Sequence, residues 1–276
     1  MMPFDLLAVG VKCWLLRYEV VGGFGAMAEE KDIHFMSEDE LKQHWREYAS
    51  GHVTEFIDPL FDSSSTSEWD SISVLKPKKE QGKLAIFTAG TPGSGKSELI
   101  DSLYEEWFDQ FVHIDADDFR THFPDYNGSN AAVYQKGANW LVDRAFKRAL
   151  KESRSFILEG TFNAKSSIDD VRRAVSHEYA TRIEYTYLEP EIAWKFVLAR
   201  AEETGRTVPK EAFKRAFLGI PKQINEVLNA YGDQIEINLY VGLPKNRKTF
   251  HGTADVLKNL PDDIDQQRLE DITNGK

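Results

Sequence analysis

Residues 90 to 97 read Gly90-Thr91-Pro92-Gly93-Ser94-Gly95-Lys96-Ser97 and complete the pattern G-x-x-x-x-G-K-[ST]. Each fixed position has a task on a polyphosphate. Glycines without Cβ let the loop turn successive N–H groups inward to form an anion nest, and a helix starting at the loop's end adds its positive terminus. Lys96 is placed to reach the β- and γ-phosphates, and the Ser97 hydroxyl to ligate a Mg2+ that bridges them. The loop therefore predicts a bound nucleoside triphosphate with its magnesium ion.

Transfer of a phosphoryl group needs a base or orienter for the attacking hydroxyl, a metal, and cations on the developing charge. In the acidic run Asp115-Ala116-Asp117-Asp118-Phe119-Arg120, Asp117 and Asp115 can supply the first two, and Glu159-Gly160-Thr161 puts a further carboxylate on the same edge. Cations are found at Arg200 and Arg206, the second just after Gly205 in a run that reads as a mobile loop, or lid. Taken singly, the acidic runs also suit strand-end turns or helix caps, and the arginines suit surface ion pairs.

These residues need a scaffold that brings them to one edge. Lys83–Ala89, a short β-rich run, precedes the loop, and an amphipathic helix follows it. Further strands are expected at 111–115, 154–159, 181–188 and 235–242, with helices at 96–107, 130–152, 166–178, 190–204 and 209–231. This alternation predicts an α/β fold, a parallel P-loop sheet flanked by helices. Ligands of such sheets bind beyond the carboxyl ends of the strands, where both acidic runs fall.

Upstream, Ser37-Glu38-Asp39-Glu40 is a capping box, and Leu41, Trp45, Tyr48, Val53, Phe56, Ile57 and Leu60 follow at helical spacing, with Gly51 as a break or kink. The serine-rich run Asp62–Glu68 and then Lys76-Pro77-Lys78-Lys79 read as a linker. We therefore expect an acidic helical segment over 1–80 and the catalytic domain over 81–276, with Trp45 and Tyr48 as exposed aromatics of the first.

The 276 residues carry a net charge of −11, and residues 29–70, with 12 acidic and 3 basic side chains, hold most of it. No basic face marks a nucleic-acid binder. No apolar run is long enough to span a bilayer, and the single Cys13 forms no internal disulfide; a cytoplasmic protein without membrane partner is expected. Met1–Ala26 has two readings, a genuine element or an upstream extension with translation starting at Met27.

Together, the loop, Ile114–Arg120 with His122-Phe123-Pro124-Asp125-Tyr126, Leu158-Glu159-Gly160-Thr161, and Arg200 with Arg206-Thr207-Val208-Pro209 resemble the zeta toxin family of P-loop kinases over residues 83 to 218. The resemblance implies ATP-dependent phosphorylation of the 3'-hydroxyl of the amino sugar of UDP-N-acetylglucosamine, which starves cell-wall synthesis. It makes Asp117 the base, with Lys96, Arg200 and Arg206 stabilising the transferred charge. Asp115, Arg120, Asp143, Glu159 and Thr161 become substrate contacts. Two departures stand out: Asp143 falls where the family has a glutamate, and Phe162-Asn163 where an arginine is often found. Zeta toxins are silenced by a separate helical antitoxin over the nucleotide site, so the acidic segment is read as an inhibitor in cis, tethered by the linker; the alternative is an ordinary extra helix packed on the domain. Two other functions stay open: a different small-molecule or antibiotic kinase, and a nucleotide-binding switch that transfers nothing. The sequence argues against a GTPase, because no Asn-Lys-x-Asp follows a later strand.

Overall fold

A computed structural model describes residue 33 and residues 36–62, 82–261 and 264–275. The sheet has six strands in the order β2-β3-β1-β4-β5-β6, formed by Leu84–Gly90 (β1), Val112–Asp115 (β2), Phe156–Glu159 (β3), Ala180–Tyr187 (β4), Glu236–Val241 (β5) and Lys248–His251 (β6). All pairings are parallel except that of β5 with β6. β1 lies at the centre with every residue buried, as its unbroken apolar run requires of a strand covered on both faces. The expected α/β fold and its parallel sheet are thus present. The antiparallel edge strand β6 was not anticipated; it has four residues and is mostly exposed, so it lacks the apolar alternation that marks a strand.

Helices α3 (Lys96–Tyr104), α5 (Ala131–Lys151), α6 (Ser166–Ser176), α7 (Pro190–Thr204) and α8 (Lys210–Tyr231) fall within a few residues of their expected spans. Between β2 and α5 lies the short helix α4 (Ala116–Thr121), and two more, α9 (Thr253–Lys258) and α10 (Gln266–Thr273), close the chain. Ile86, Ile100, Tyr104, Phe111 and Ile157 form the core on one side of the sheet; the larger core on the other side holds Phe87, Phe146, Phe156, Phe213 and Phe217.

The upstream helices are α1 (Glu38–Gly51) and α2 (Val53–Asp62), parted at His52 beside the anticipated break. Ser37 and Glu40 form the capping box: the Glu40 N–H donates to Ser37 Oγ (3.3 Å) and the Ser37 N–H to Glu40 Oε2 (2.9 Å). The compact unit begins at Met36 and takes in both helices, so the described fold does not part near residue 80; the linker itself lies outside the described residues, as does Met1–Ala26. Trp45 was expected to be exposed and is only 4% exposed. Its indole packs at 4.8 Å from the Tyr134 ring and 6.0 Å from Phe123, and its carbonyl lies so close to Gly137 that a Cβ there would stand 2.7 Å from it. Tyr48 is half-buried and stacks on His52 at 4.0 Å. Amphipathic periodicity shows that a helix face is covered but not by what, and here α4 and α5 cover it.

Candidate functional site

The phosphate loop joins β1 to α3 at the carboxyl edge of the sheet. Gly93 and Gly95 adopt φ of +78° and +81°, where a side chain is strained; a Cβ on Gly93 would lie 2.3 Å from the Ala193 carbonyl oxygen of α7. Gly95 is the N-cap of α3 and offers no side-chain cap, which leaves first-turn N–H groups open to an anion. Ser94 Oγ and Thr186 Oγ1 share a hydrogen bond of 2.7 Å that fastens the loop to β4. Thr91 Oγ1 is buried without a hydrogen-bond partner among the described residues.

Lys96 folds back over this loop and donates to the carbonyls of Gly90 (3.1 Å) and Thr91 (3.0 Å). Although the side chain as a whole is half-buried, its ammonium is desolvated there, which brings the pKa down to about 8 against the opposing pull of Glu159, Asp115 and Asp117.

The strand ends converge beside it. Ser97 Oγ donates to Glu159 Oε2 (3.1 Å), and His113 Nε2 bonds to Glu159 Oε1 (2.8 Å). His113 also stacks on Phe108 at 5.5 Å. Burial opposes the charged imidazole, yet the hydrogen bond and charge of Glu159 win, and the pKa of His113 is raised. The sequence reading passed over this histidine, although it stands two residues before Asp115 on the same face of β2.

Asp115 caps α4, accepting the Asp117 N–H at 2.9 Å. Burial, then the charge of Asp117, raises its pKa to about 7. It holds Asp117 in place, and Asp117 in turn is ion-paired with both Arg120 and Arg206. Arg120 is 6% exposed and also donates to Gln135 Oε1 (2.6 Å). Arg206 comes from the segment between α7 and α8, after Gly205 has ended α7 with φ +74°. The structure thus assembles Lys96, Ser97, Asp115, Asp117, Arg120, Glu159 and Arg206. Arg200 is exposed on α7, and no polar contact of its side chain is found among the described residues.

The Glu159-Gly160-Thr161 step is pinned to β1: Thr88 Oγ1 accepts the Gly160 N–H (2.8 Å) and donates to the Gly160 carbonyl (3.0 Å), and the Gly90 N–H donates to the Thr161 carbonyl (3.3 Å). Beyond it, buried Phe162 adopts φ +60°, and Asn163 turns against α8, where a Cβ on Gly219 would collide with its amide. Asp143 lies on α5, half-exposed and tied to Lys147 of its own helix at 2.6 Å.

A glycine-cradled loop between a central parallel strand and a helix, with carboxylates from neighbouring strand ends around it, defines a P-loop nucleotide-binding α/β protein. The zeta toxin family matches residues 67–252, and the chain belongs to that family. It is 22% identical to toxin zeta of Streptococcus pyogenes over 68% of this chain and 70% of that protein, and 24% identical to toxin zeta of Enterococcus hirae over 66% and 68%. Among solved structures it is similar to a chain of the PezAT chromosomal toxin–antitoxin system of Streptococcus pneumoniae, with TM-score 0.58 and 16% identity over 86% of this chain and 93% of that one. It is also similar to a chain of the AvrRxo1-ORF1:-ORF2 complex with ATP, with TM-score 0.53 and 12% identity over 83% and 74%. A likeness over 86% of this chain is more than the residues from Gly82 onward supply, so the shared fold reaches upstream of the sheet.

Proposed function

We propose that the protein is a kinase that transfers the γ-phosphoryl group of ATP to the 3'-hydroxyl of the amino sugar of UDP-N-acetylglucosamine, with Mg2+ as cofactor, and that it acts in the cytoplasm as a toxin of cell-wall synthesis. The observation that carries this reading is the position of Asp117, held by Asp115 and Arg206 beside the loop of Lys96.

The residues fit a Mg-triphosphate: the uncapped start of α3 suits the phosphates, and Ser97 and Glu159 present oxygen to a hard cation. Magnesium there would draw off charge from the phosphates. Lys96 leaves its carbonyl partners for the phosphate oxygens. Arg206, released from Asp117, turns to the transferring group, and Arg200 can join it only if the segment closes. The freed Asp117 carboxylate takes the proton of the acceptor hydroxyl as that oxygen bonds to the γ-phosphorus and the bond to the β-bridging oxygen of ATP breaks, releasing ADP. Thr161 and the Gly160 backbone line the acceptor side.

Labelled ATP with UDP-N-acetylglucosamine tests the reading: transfer to the sugar that disappears in Asp117→Asn supports it. Transfer only to another hydroxylated metabolite makes the protein a kinase of different substrate, a reading that Asn163 favours. Nucleotide binding with no transfer makes it a switch. Inhibition in cis completes the proposal, but α1 and α2 are built into the fold, so it narrows to the chain outside them. Removal of residues 1–35, or of the serine-rich run 63–68, then raises the transfer rate, and an unchanged rate in both ends the idea.

A further inference from the structure

A small cavity of 40 Å3 lies between β1, β3 and α6 on the same strand edge. Phe87, Leu158 and Phe162 give it apolar walls; Gly160 contributes backbone, and Ser167 and Asp170 face it from α6. A single water needs on the order of 10–15 Å3 of such space, so the cavity takes about three non-hydrogen atoms, the size of an acetyl group. Gly160 follows the strand that carries Glu159, the partner of Ser97, and Thr161 accepts the Gly90 N–H; the cavity therefore lies at the carboxyl edge of the sheet that also carries the phosphate loop. Phe162 holds the left-handed conformation to supply its wall, a strain of the kind that persists where ligands are clamped.

Asp170 is the polar end of this cavity. Its nearest cation, Arg173, stands 3.5 Å away. Burial outweighs that pairing and, with the charge of Asp143 added, raises the Asp170 pKa to about 6. Asp143, where the family resemblance puts a substrate carboxylate, is paired with Lys147 of its own helix and stands near enough to act on Asp170. The carboxylate that this chain turns toward Gly160 comes from α6.

The geometry points to this cavity as the subsite for the acylamino group of the acceptor sugar, with its methyl against Phe87, Leu158 and Phe162 and its amide N–H donating to Asp170. The inference rests on the sugar-nucleotide kinase reading and makes Asp170 a specificity-determining residue of it.

The test compares UDP-N-acetylglucosamine with UDP-glucose, which carries a hydroxyl in place of the acetamido group, by calorimetric binding and initial rates on the full chain. Wild type prefers the acetamido sugar. Asp170→Ala weakens its binding roughly ten- to a hundredfold, as expected for loss of a hydrogen bond to a charged group, and UDP-glucose far less, so that the preference collapses. Ser167→Leu, which enlarges a side chain that lines the cavity from α6, lowers the same preference by filling the space and serves should the first variant not fold. Wild type that binds UDP-N-acetylglucosamine while both variants keep its preference overturns the subsite alone. Wild type that binds neither sugar nucleotide overturns the acceptor reading and the subsite with it.

Discussion

Arg206 is ion-paired with Asp117 across 89 residues of sequence, and Arg120 takes the other carboxylate oxygen. The residue proposed as base and one proposed to stabilise transferred charge thus neutralise each other until phosphates arrive. The arrangement keeps Asp117 in place, yet it asks the incoming triphosphate to compete for Arg206 before the carboxylate can accept a proton. With the proposed roles, coupling of this kind would tie base activation to nucleotide binding.

Asp117→Asn keeps the size of the side chain but removes the base. Transfer is expected to fall about 10²- to 10⁴-fold, with ATP affinity retained. Arg206→Ala removes a cation from the transferring group, and kcat is expected to fall about 10²- to 10³-fold. Single-turnover transfer beside equilibrium nucleotide binding separates the two, and parallel loss of binding in Asp117→Asn would refute the assignment.

Lys96 gives a proton signature. Its pKa in the folded protein, about 8, lies below its ordinary value of 10.5, so between these pH values the unfolded chain binds more protons than the folded one. Stability should therefore rise with pH across that window, and the rise should vanish in Lys96→Met. Phosphates placed against the ammonium raise its pKa again, so ATP binding near pH 8.5 should take up a proton. Calorimetry in buffers of different ionisation enthalpy measures that uptake; an equal heat in all of them counts against it.

What was legible in the sequence follows from how local each signal is. The phosphate loop, the capping box of Ser37 and Glu40, and the strand ends at Asp115 and Glu159 are set by neighbouring residues, and the sequence places them within a residue or two. The partner of Arg206 was not legible, because a charge in a loop does not reveal which of many carboxylates folding brings to it. His113 had a period-two signal that went unread. The burial of Trp45 was missed for a different reason: a polar linker suggests a separate unit, but the helix before it carries more apolar surface than it can leave in water.

Trp45→Ala checks that packing. A buried tryptophan in contact with Phe123 and Tyr134 should cost about 3–5 kcal/mol when truncated, read as a fall in the urea midpoint with little change in slope. Removal of residues 1–35 should leave the midpoint near that of the full chain, whereas removal of residues 1–62 takes away α1 and α2, uncovers Phe119, Phe123 and Tyr134, and should abolish cooperative unfolding. A cooperative transition in the shorter chain would show that the helices are an appended unit after all.

Gly93 places the tightest demand on the loop. Its φ of +78° is strained for any other residue, and a Cβ would sit 2.3 Å from the Ala193 carbonyl oxygen, a backbone atom held within α7. The helix cannot retreat cheaply, since Trp194 of the same turn packs 4.8 Å from Phe213. Gly93→Ala should therefore push the loop away from α7 rather than move α7, and so spoil the nest of N–H groups while the sheet and cores stay intact. The expected result is loss of ATP binding by at least about tenfold, the effect of one or two misplaced hydrogen bonds to a charged group, with a small change in thermal midpoint. Wild-type affinity in this variant would mean that the loop rearranges when nucleotide binds, and the geometry of Lys96 over Gly90 and Thr91 would then describe only the resting state.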